Sequence, residues 1–401
     1  MKKLVVLGLV VIQLFISCTS STLSKAEKIH AKALTIDTHC DTPMRFMGKG
    51  YNPGEKHDPM KDGSKVDFIR MKEGGLDAEF FAAFLGQGAR TPEANEKVIQ
   101  KTHNIIDSIH AVTNRNSEIA EIAKTSSDGY RLEKANKRAI YIGIENGYGI
   151  GNDISNIKTF YKKDARYITL CHTKNNDICD SSTDSVEHGG LSKFGKDVVR
   201  EMNDVGMIID VSHISDDAFY DVVELSKTPV IASHSCARAI CDNPRNMTDD
   251  MLLKLKENGG VIQMCILSMY VKDLKASAEH DSAKAAWRKK YPDYSSLPED
   301  KKDIAREAWY AYNRKFPAPL ATVSDAVDHI DHIVELIGVD YVGIGTDFDG
   351  GGGLADCYDV SEMGNITKEL VNRGYSEEDI IKIWGGNFMR VFKEVEEYKI
   401  H

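Results

Sequence analysis

The sequence has 401 residues, 28% of them charged and 42% hydrophobic, with a formal net charge of −10. That length suits one large α/β barrel or two ordinary domains. The acidic balance, without a Lys/Arg stripe, excludes a nucleic-acid binder held by phosphate contacts.

The chain begins MKKLVVLGLVVIQLFISCTSST, in which two lysines precede an apolar run from Leu4 to Ile16, broken only by Gly8 and Gln13, and then Ser17-Cys18. The run is shorter than the roughly 20 residues of a membrane span and reads as a secretory signal. A small residue followed by cysteine resembles a bacterial lipoprotein signal. On that reading residues 1–17 are removed, Cys18 becomes the lipidated first residue, and 18–401 form a single domain in the bacterial cell envelope that meets the membrane only through its lipid anchor. A plain cleaved signal is the alternative. The charged C-terminal FKEVEEYKIH excludes a GPI anchor. The remaining cysteines, at 40, 171, 179, 236, 241, 265 and 357, are odd in number and lack C-x-x-C spacing. They indicate neither a disulfide scaffold nor a cysteine-type zinc module, and several sit inside apolar runs as small buried residues.

Eight short apolar runs follow in order: ALTIDTHCD (33–41), LDAEFFAAFL (76–85), RAIYIGIEN (138–146), ARYITLCHT (165–173), VGMIIDVSH (205–213), TPVIASHS (228–235), GGVIQMCIL (259–267) and DYVGIGTDFDG (340–350). Amphipathic segments such as FGKDVVREMND, SDDAFYDVVELS, TDDMLLKLKEN and VSDAVDHIDHIVELIG lie between them. Eight such alternations predict an α/β protein, a (β/α)8 TIM-like barrel, although the second run also fits a helix. The charged stretch at about 268–320, which contains EDKKDIAREAWYAYNRKF, departs from the pattern. It reads as a helical insertion between the seventh and eighth strands, placed to act as a lid.

Polar residues gather at the strand ends: His39 and Asp41 on the first, Glu145 on the third, His172 on the fourth, His213 on the fifth, His234 on the sixth and Asp347 on the eighth. The period of two puts His39 and Asp41 on one face of their strand, with Thr38 and Cys40 on the other. Taken alone, an H-x-D is more simply a hydrogen-bonded polar strand end. In a barrel, however, all these ends converge on the face that carries the active site. Buried charges need partners, and metal ions would neutralise the carboxylates as hydrogen bonds could not. Three histidines, one glutamate and one aspartate suit zinc ahead of manganese. Five ligands are too many for one tetrahedral ion with an open position. Two zinc ions per chain, about 3.5 to 4 Å apart and bridged by Glu145 and a hydroxide, account for all five. His39 and Asp41 would hold one ion, and His213 and His234 the other.

These residues resemble the membrane (renal) dipeptidases, zinc-dependent relatives of the amidohydrolase barrels. The likeness runs along most of the chain through IDTHCDTP, GIEN, YITLCHTKNN, GLSKFGKDVVREMNDVGMIIDVSHIS, PVIASHS, GIGTDFDG and GGNFMRVF. The resemblance implies the same ligand set with Glu145 bridging, and a zinc-dependent dipeptidase that cleaves dipeptides through a metal-bridging hydroxide. It also implies that His172 contacts the substrate carbonyl, that Arg245 clamps a free C-terminal carboxylate, that Asp347 handles protons, and that the chain forms a homodimer. From the residues alone, Arg245 reads instead as a structural ion pair with Asp242 or Asp249. Two departures bear on substrate preference: Glu145 is followed by Asn146-Gly147-Tyr148 rather than G-G-H, and the insertion is longer. The alternatives are a related binuclear amidohydrolase acting on N-acyl amino acids or lactams, and a lipid-anchored ligand-binding protein.

Overall fold

The computed structural model describes residues 23–48, 50–292 and 297–399. The expected signal segment and Cys18 lie outside the described residues. Among the described residues nine strands form one parallel sheet: β1 Ile36–Cys40, β2 Ala78–Phe84, β3 Ala120–Ile122, β4 Arg138–Glu145, β5 Ala165–Thr169, β6 Ile208–Asp210, β7 Ile231–Ser235, β8 Val261–Met264 and β9 Val342–Ile344. Eight of them run in barrel order β1-β2-β4-β5-β6-β7-β8-β9. These are the eight runs expected from the sequence, and the second is a strand, not a helix. The ninth strand, β3, was not foreseen. It lies off the barrel path and pairs with the first half of β4, and three residues are too few to display a period of two.

The ring closes without a regular ladder between its first and last strands. A parallel bridge joins Cys40 to Phe348. Asp41 N donates to Phe348 O at 2.8 Å and Asp347 N donates to His39 O at 3.0 Å. β1 itself is irregular: Asp37 pairs with Glu79 and Cys40 with Phe81, so three steps on β1 face two on β2. Such a bulge breaks the strict alternation expected for Thr38, His39 and Cys40. Thr38 Oγ1 accordingly donates to Ser233 O of β7 at 2.7 Å, while His39 turns to the site.

The four amphipathic segments quoted above form helices Lys193–Val205, Asp216–Leu225, Asp249–Asn258 and Val323–Ile337. Each starts at a Ser or Thr whose hydroxyl accepts a first-turn backbone N–H: Ser192, Ser215, Thr248 and Thr322. Such caps satisfy donors that a helix start otherwise leaves open, worth about 1 kcal/mol each. The helices bury apolar faces against the outside of the strands, in a cluster that includes Ile142, Ile168, Val198, Phe219, Leu252, Ile262 and Ile330.

The inside of the barrel is divided by chemistry. Residues near the strand starts are apolar (Ile36, Ala78, Phe80, Tyr141, Ile208, Ile231, Val261) and pack on Phe388 and Phe392 of the helix Asn387–Tyr398, which closes that end. Phe80 stacks on Tyr141 at 4.8 Å between centroids and meets Phe388 edge-on at 5.2 Å. Buried side chains of this size stabilise by roughly 1.5–3 kcal/mol apiece, which anchors the strands against which the polar end is built. Gly143 of β4 makes a specific contribution. A Cβ there would overlap the Tyr167 ring, so glycine lets that ring cross the barrel interior.

Between β8 and Val323–Ile337 the chain leaves the barrel as helices Ser268–Val271, Ala278–Lys290 and Glu299–Lys315. No helix among the described residues is long and apolar enough to cross a membrane. Cysteines 40, 171, 179, 236, 241, 265 and 357 are all free and buried.

Candidate active site

His39 and His234 lie within β1 and β7, Glu145 ends β4, and Asp41 follows β1 directly. His172, His213 and Asp347 were expected at strand ends, but each stands three residues beyond one, after Thr169, Asp210 and Ile344. The reason is visible in the backbone. His213 and Asp347 have φ of 73° and 60°, a left-handed conformation that no ladder accommodates and that turns the side chain back over the barrel mouth. Glycine is needed beside Asp347: a Cβ on Gly350 would overlap Asp347 Oδ1 and Asp41 Oδ2.

Glu145 is the centre of the arrangement. His213 Nε2, His234 Nε2 and His172 Nε2 stand 3.1, 3.6 and 3.8 Å from its Oε1, and His39 Nε2 stands 3.5 Å from its Oε2. His213 Nε2 and His234 Nε2 are 2.8 Å apart. Three groups each bring their ligand atoms within 4.8 Å of one another: His39, Glu145 and His234; Glu145, His172 and His213; His39, Asp41 and Asp347. All seven strand-end residues named from the sequence are thus brought together, and Asp347 and His172 lie closer to the ligand groups than their expected roles require.

Burial without partners marks the same place. His39 Nε2, Asp41 Oδ1 and Glu145 Oε2 are shut off from water and have no hydrogen-bond partner. Such atoms normally find one, and leaving them bare costs about 1–3 kcal/mol each. Burial, with the Asp210 carboxylate nearby, pushes Glu145 up to about 8, and burial beside Glu145 raises Asp41 well above the usual carboxylate range. Burial, together with the Arg245 guanidinium, pushes His172 down to about 3 and His213 well below the usual histidine value. Burial lowers His234 in the same way. Neutral imidazoles facing carboxylates that resist carrying charge form a donor set that a divalent cation satisfies, since its charge would bring the carboxylates back down while the imidazoles, already held neutral, keep their lone pairs free for it. The residues present therefore fit a metal ion.

Residues outside this set orient it, and they were not singled out from the sequence. Tyr167 OH lies 2.8 Å from His39 Nδ1, and Ser233 Oγ lies 2.8 Å from His234 Nδ1. Tyr167 was visible within YITLCHT, but nothing in that run shows that its ring crosses to β1. His172 meets the edge of Phe84 at 4.8 Å, and its Nδ1 lies 3.2 Å from Thr173 Oγ1.

Arg245 is buried at the rim. Its Nη2 donates to His234 O at 3.0 Å, its guanidinium lies 5.2 Å from the Tyr270 ring centroid, and its Nε has no partner. Among the described residues no carboxylate lies within ion-pair distance of it. The structural pairing with Asp242 or Asp249 is not formed, and Asp249 instead meets His332 at 2.7 Å. Asp349 has φ 64° and accepts from Thr42 Oγ1 at 2.8 Å and Lys65 N at 2.9 Å.

Comparison with known proteins places this geometry. The family described as membrane dipeptidase (peptidase family M19) matches residues 23–401. Dipeptidase tcpJ of Claviceps purpurea is 32% identical over 350 residues, covering 86% of this chain and 72% of that protein. Dipeptidase ataJ of Aspergillus terreus is 30% identical over 405 residues, covering 94% and 88%. Among solved structures, the probable dipeptidase PvdM of Pseudomonas aeruginosa is 32% identical with a TM-score of 0.79, covering 93% of this chain and 98% of that one.

Proposed function

The chain belongs to the membrane dipeptidases of peptidase family M19, and from that premise we propose that it is a zinc-dependent dipeptidase that hydrolyses dipeptides bearing a free C-terminal carboxylate. The observation that carries the reading is the convergence of buried, unpartnered ligand atoms on Glu145, beside an arginine that has no carboxylate of its own. His39, Asp41 and Glu145 would hold one zinc ion, and Glu145, His213 and His234 a second. Two such ions, when bound, lower the pKa of a shared water towards about 7 and polarise the scissile carbonyl.

The protein's own groups supply the rest. A tautomer in which the Thr173 hydroxyl donates to His172 Nδ1 leaves the proton on Nε2, free to donate to the oxygen that gains charge as the carbonyl is attacked. Asp347 is raised well above the usual carboxylate range by burial and by Asp41. It takes the proton released by the attacking water and returns it to the leaving amine. Arg245 offers its open guanidinium edge to the substrate carboxylate in a forked, charge-assisted contact. Tyr270 beneath it restricts how far that fork can swing. The remaining parts of the reading, export with lipidation at Cys18 and a homodimer, rest on the N-terminal pattern and the family likeness.

The test is metal analysis of purified protein combined with a hydrolysis screen of dipeptides, their C-terminal amides and N-acyl amino acids. Two zinc equivalents and turnover confined to dipeptides with a free carboxylate are expected. Equal turnover of dipeptide and amide would replace the dipeptidase reading with a broader amidase.

A further inference from the structure

The three histidines that the metal reading assigns as ligands beside Glu145 are held in three different ways. His39 Nδ1 meets a phenol, Tyr167 OH. His213 Nδ1 has no partner at all. His234 Nδ1 meets Ser233 Oγ at 2.8 Å, and Ser233 Oγ in turn lies 2.6 Å from Asp210 Oδ2. The direction of this last chain follows from counting protons. Asp210 is fully buried at the end of β6 and is surrounded by donors: Thr169 Oγ1 at 2.5 Å, Ser233 Oγ, Ser233 N at 2.8 Å and Ser212 N at 3.0 Å. The Ser233 hydroxyl therefore gives its only proton to Asp210. Its oxygen can meet His234 Nδ1 only as an acceptor, so the imidazole proton sits on Nδ1. The lone pair is left on Nε2, the atom 3.6 Å from Glu145 Oε1.

We propose that Asp210 is a positioning residue that acts through Ser233: the Asp210–Ser233–His234 relay fixes the tautomer, ring orientation and donor strength of His234, and so sets how tightly the Glu145, His213 and His234 half of the site holds its metal ion. The inference rests on the metal reading of the site. A metal-ligating histidine commonly donates its other N–H to an oxygen that orients it, and losing that partner typically costs about 10–100-fold in metal affinity. In this half of the site the relay bears that role alone, because His213 has no equivalent support. The other half has Tyr167, which lies outside the relay.

The experiment titrates metal-free full-length protein with Co2+, following heat and the visible absorption bands. Wild type and the variants Ser233→Ala, Ser233→Thr and Asp210→Asn are compared, each first checked for native circular dichroism. Ser233→Ala and Asp210→Asn should bind one Co2+ about 10–100-fold more weakly, with altered bands for that ion only, while the other equivalent keeps its affinity. Ser233→Thr, which retains the hydroxyl, should restore binding. Should Ser233→Ala fail to fold, Ser233→Cys tests the same point, since a thiol is a poor link in the relay. Wild-type affinity and bands in both Ser233→Ala and Asp210→Asn, or equal weakening of every equivalent, would overturn the proposal. Wild-type protein that binds no Co2+ would instead defeat the metal reading itself.

Discussion

The barrel mouth and the two longer insertion helices, Ala278–Lys290 and Glu299–Lys315, are assembled from opposite materials. At the mouth, His39, Glu145, His213, His234 and Asp210 are polar and buried, and each is placed by a strand or by the turn that leaves one. In the insertion, the helix Ala278–Lys290 buries His280 and otherwise packs by surface aromatics: Trp287 lies 5.1 Å from Trp309, and Trp287 Nε1 donates to Ala305 O. The insertion reaches the barrel loops through a few hydrogen bonds, among them Arg45 Nη2 to Tyr310 OH at 2.8 Å and Arg314 Nη1 to Met60 O at 3.1 Å. In the mouth, atoms have been withdrawn from water, so a partner lost there is not replaced. In the insertion, water remains available to replace what is lost. Perturbations of the two regions should therefore differ greatly in cost.

The largest effect is expected at the centre. Chelation should abolish hydrolysis, and Glu145→Gln should lower both zinc content and kcat/KM by more than about 100-fold, beyond the 10–100-fold cost of losing a ligand's supporting hydrogen bond. Elemental analysis beside a kinetic assay checks this, and full activity at one zinc or fewer would break the binuclear reading. Next comes Arg245→Lys. Loss of a forked contact in a desolvated pocket costs about 2–4 kcal/mol, or roughly 30- to 1000-fold in kcat/KM. Amidating the dipeptide should cost the wild type a similar factor and the variant little further.

A smaller loss is expected for Gly350→Ala. The new methyl must displace Asp347 or Asp41, and a misplacement of this size costs on the order of 10–100-fold in kcat. Zinc content and KM for the same variant show whether Asp41 or Asp347 gives way. The smallest belongs to the insertion. Tyr310→Phe removes one hydroxyl contact to Arg45 and should cost about 1 kcal/mol of stability, with kcat nearly unchanged. A fall in kcat as large as that of Gly350→Ala would show that the helix Glu299–Lys315 belongs to the mouth after all.

What could be read in the sequence follows the same division. The eight barrel strands and the converging histidines and carboxylates were legible because parallel strands are short apolar runs and their polar ends stand out against them. Arg245 was expected as a clamp only through the family likeness; by charge alone Asp242 and Asp249 were equally good partners, and the fold keeps both away from it. The bulge at Asp37–Cys40 was hidden because register depends on β2, not on β1's own residues. Asp210 and Ser233 were hidden for a different reason. They look like ordinary strand residues in IIDVSH and IASHS, and their roles arise from a hydrogen bond between β6 and β7.

The closure of the ring has a consequence for how the protein is made. The hydrogen bonds that join its two ends come from Asp41 N and Asp347 N, more than 300 residues apart in sequence. The site therefore does not exist during most of synthesis: a ribosome-bound chain lacking β9 has His39 and Glu145 but neither Asp347 nor a sealed seam beside Asp41. Contacts of such separation form late and slowly. Closing the seam brings His39 of β1 against His234 of β7, with ring centroids 3.9 Å apart, so an ion held between the two halves would stabilise the finished ring over the shorter intermediates.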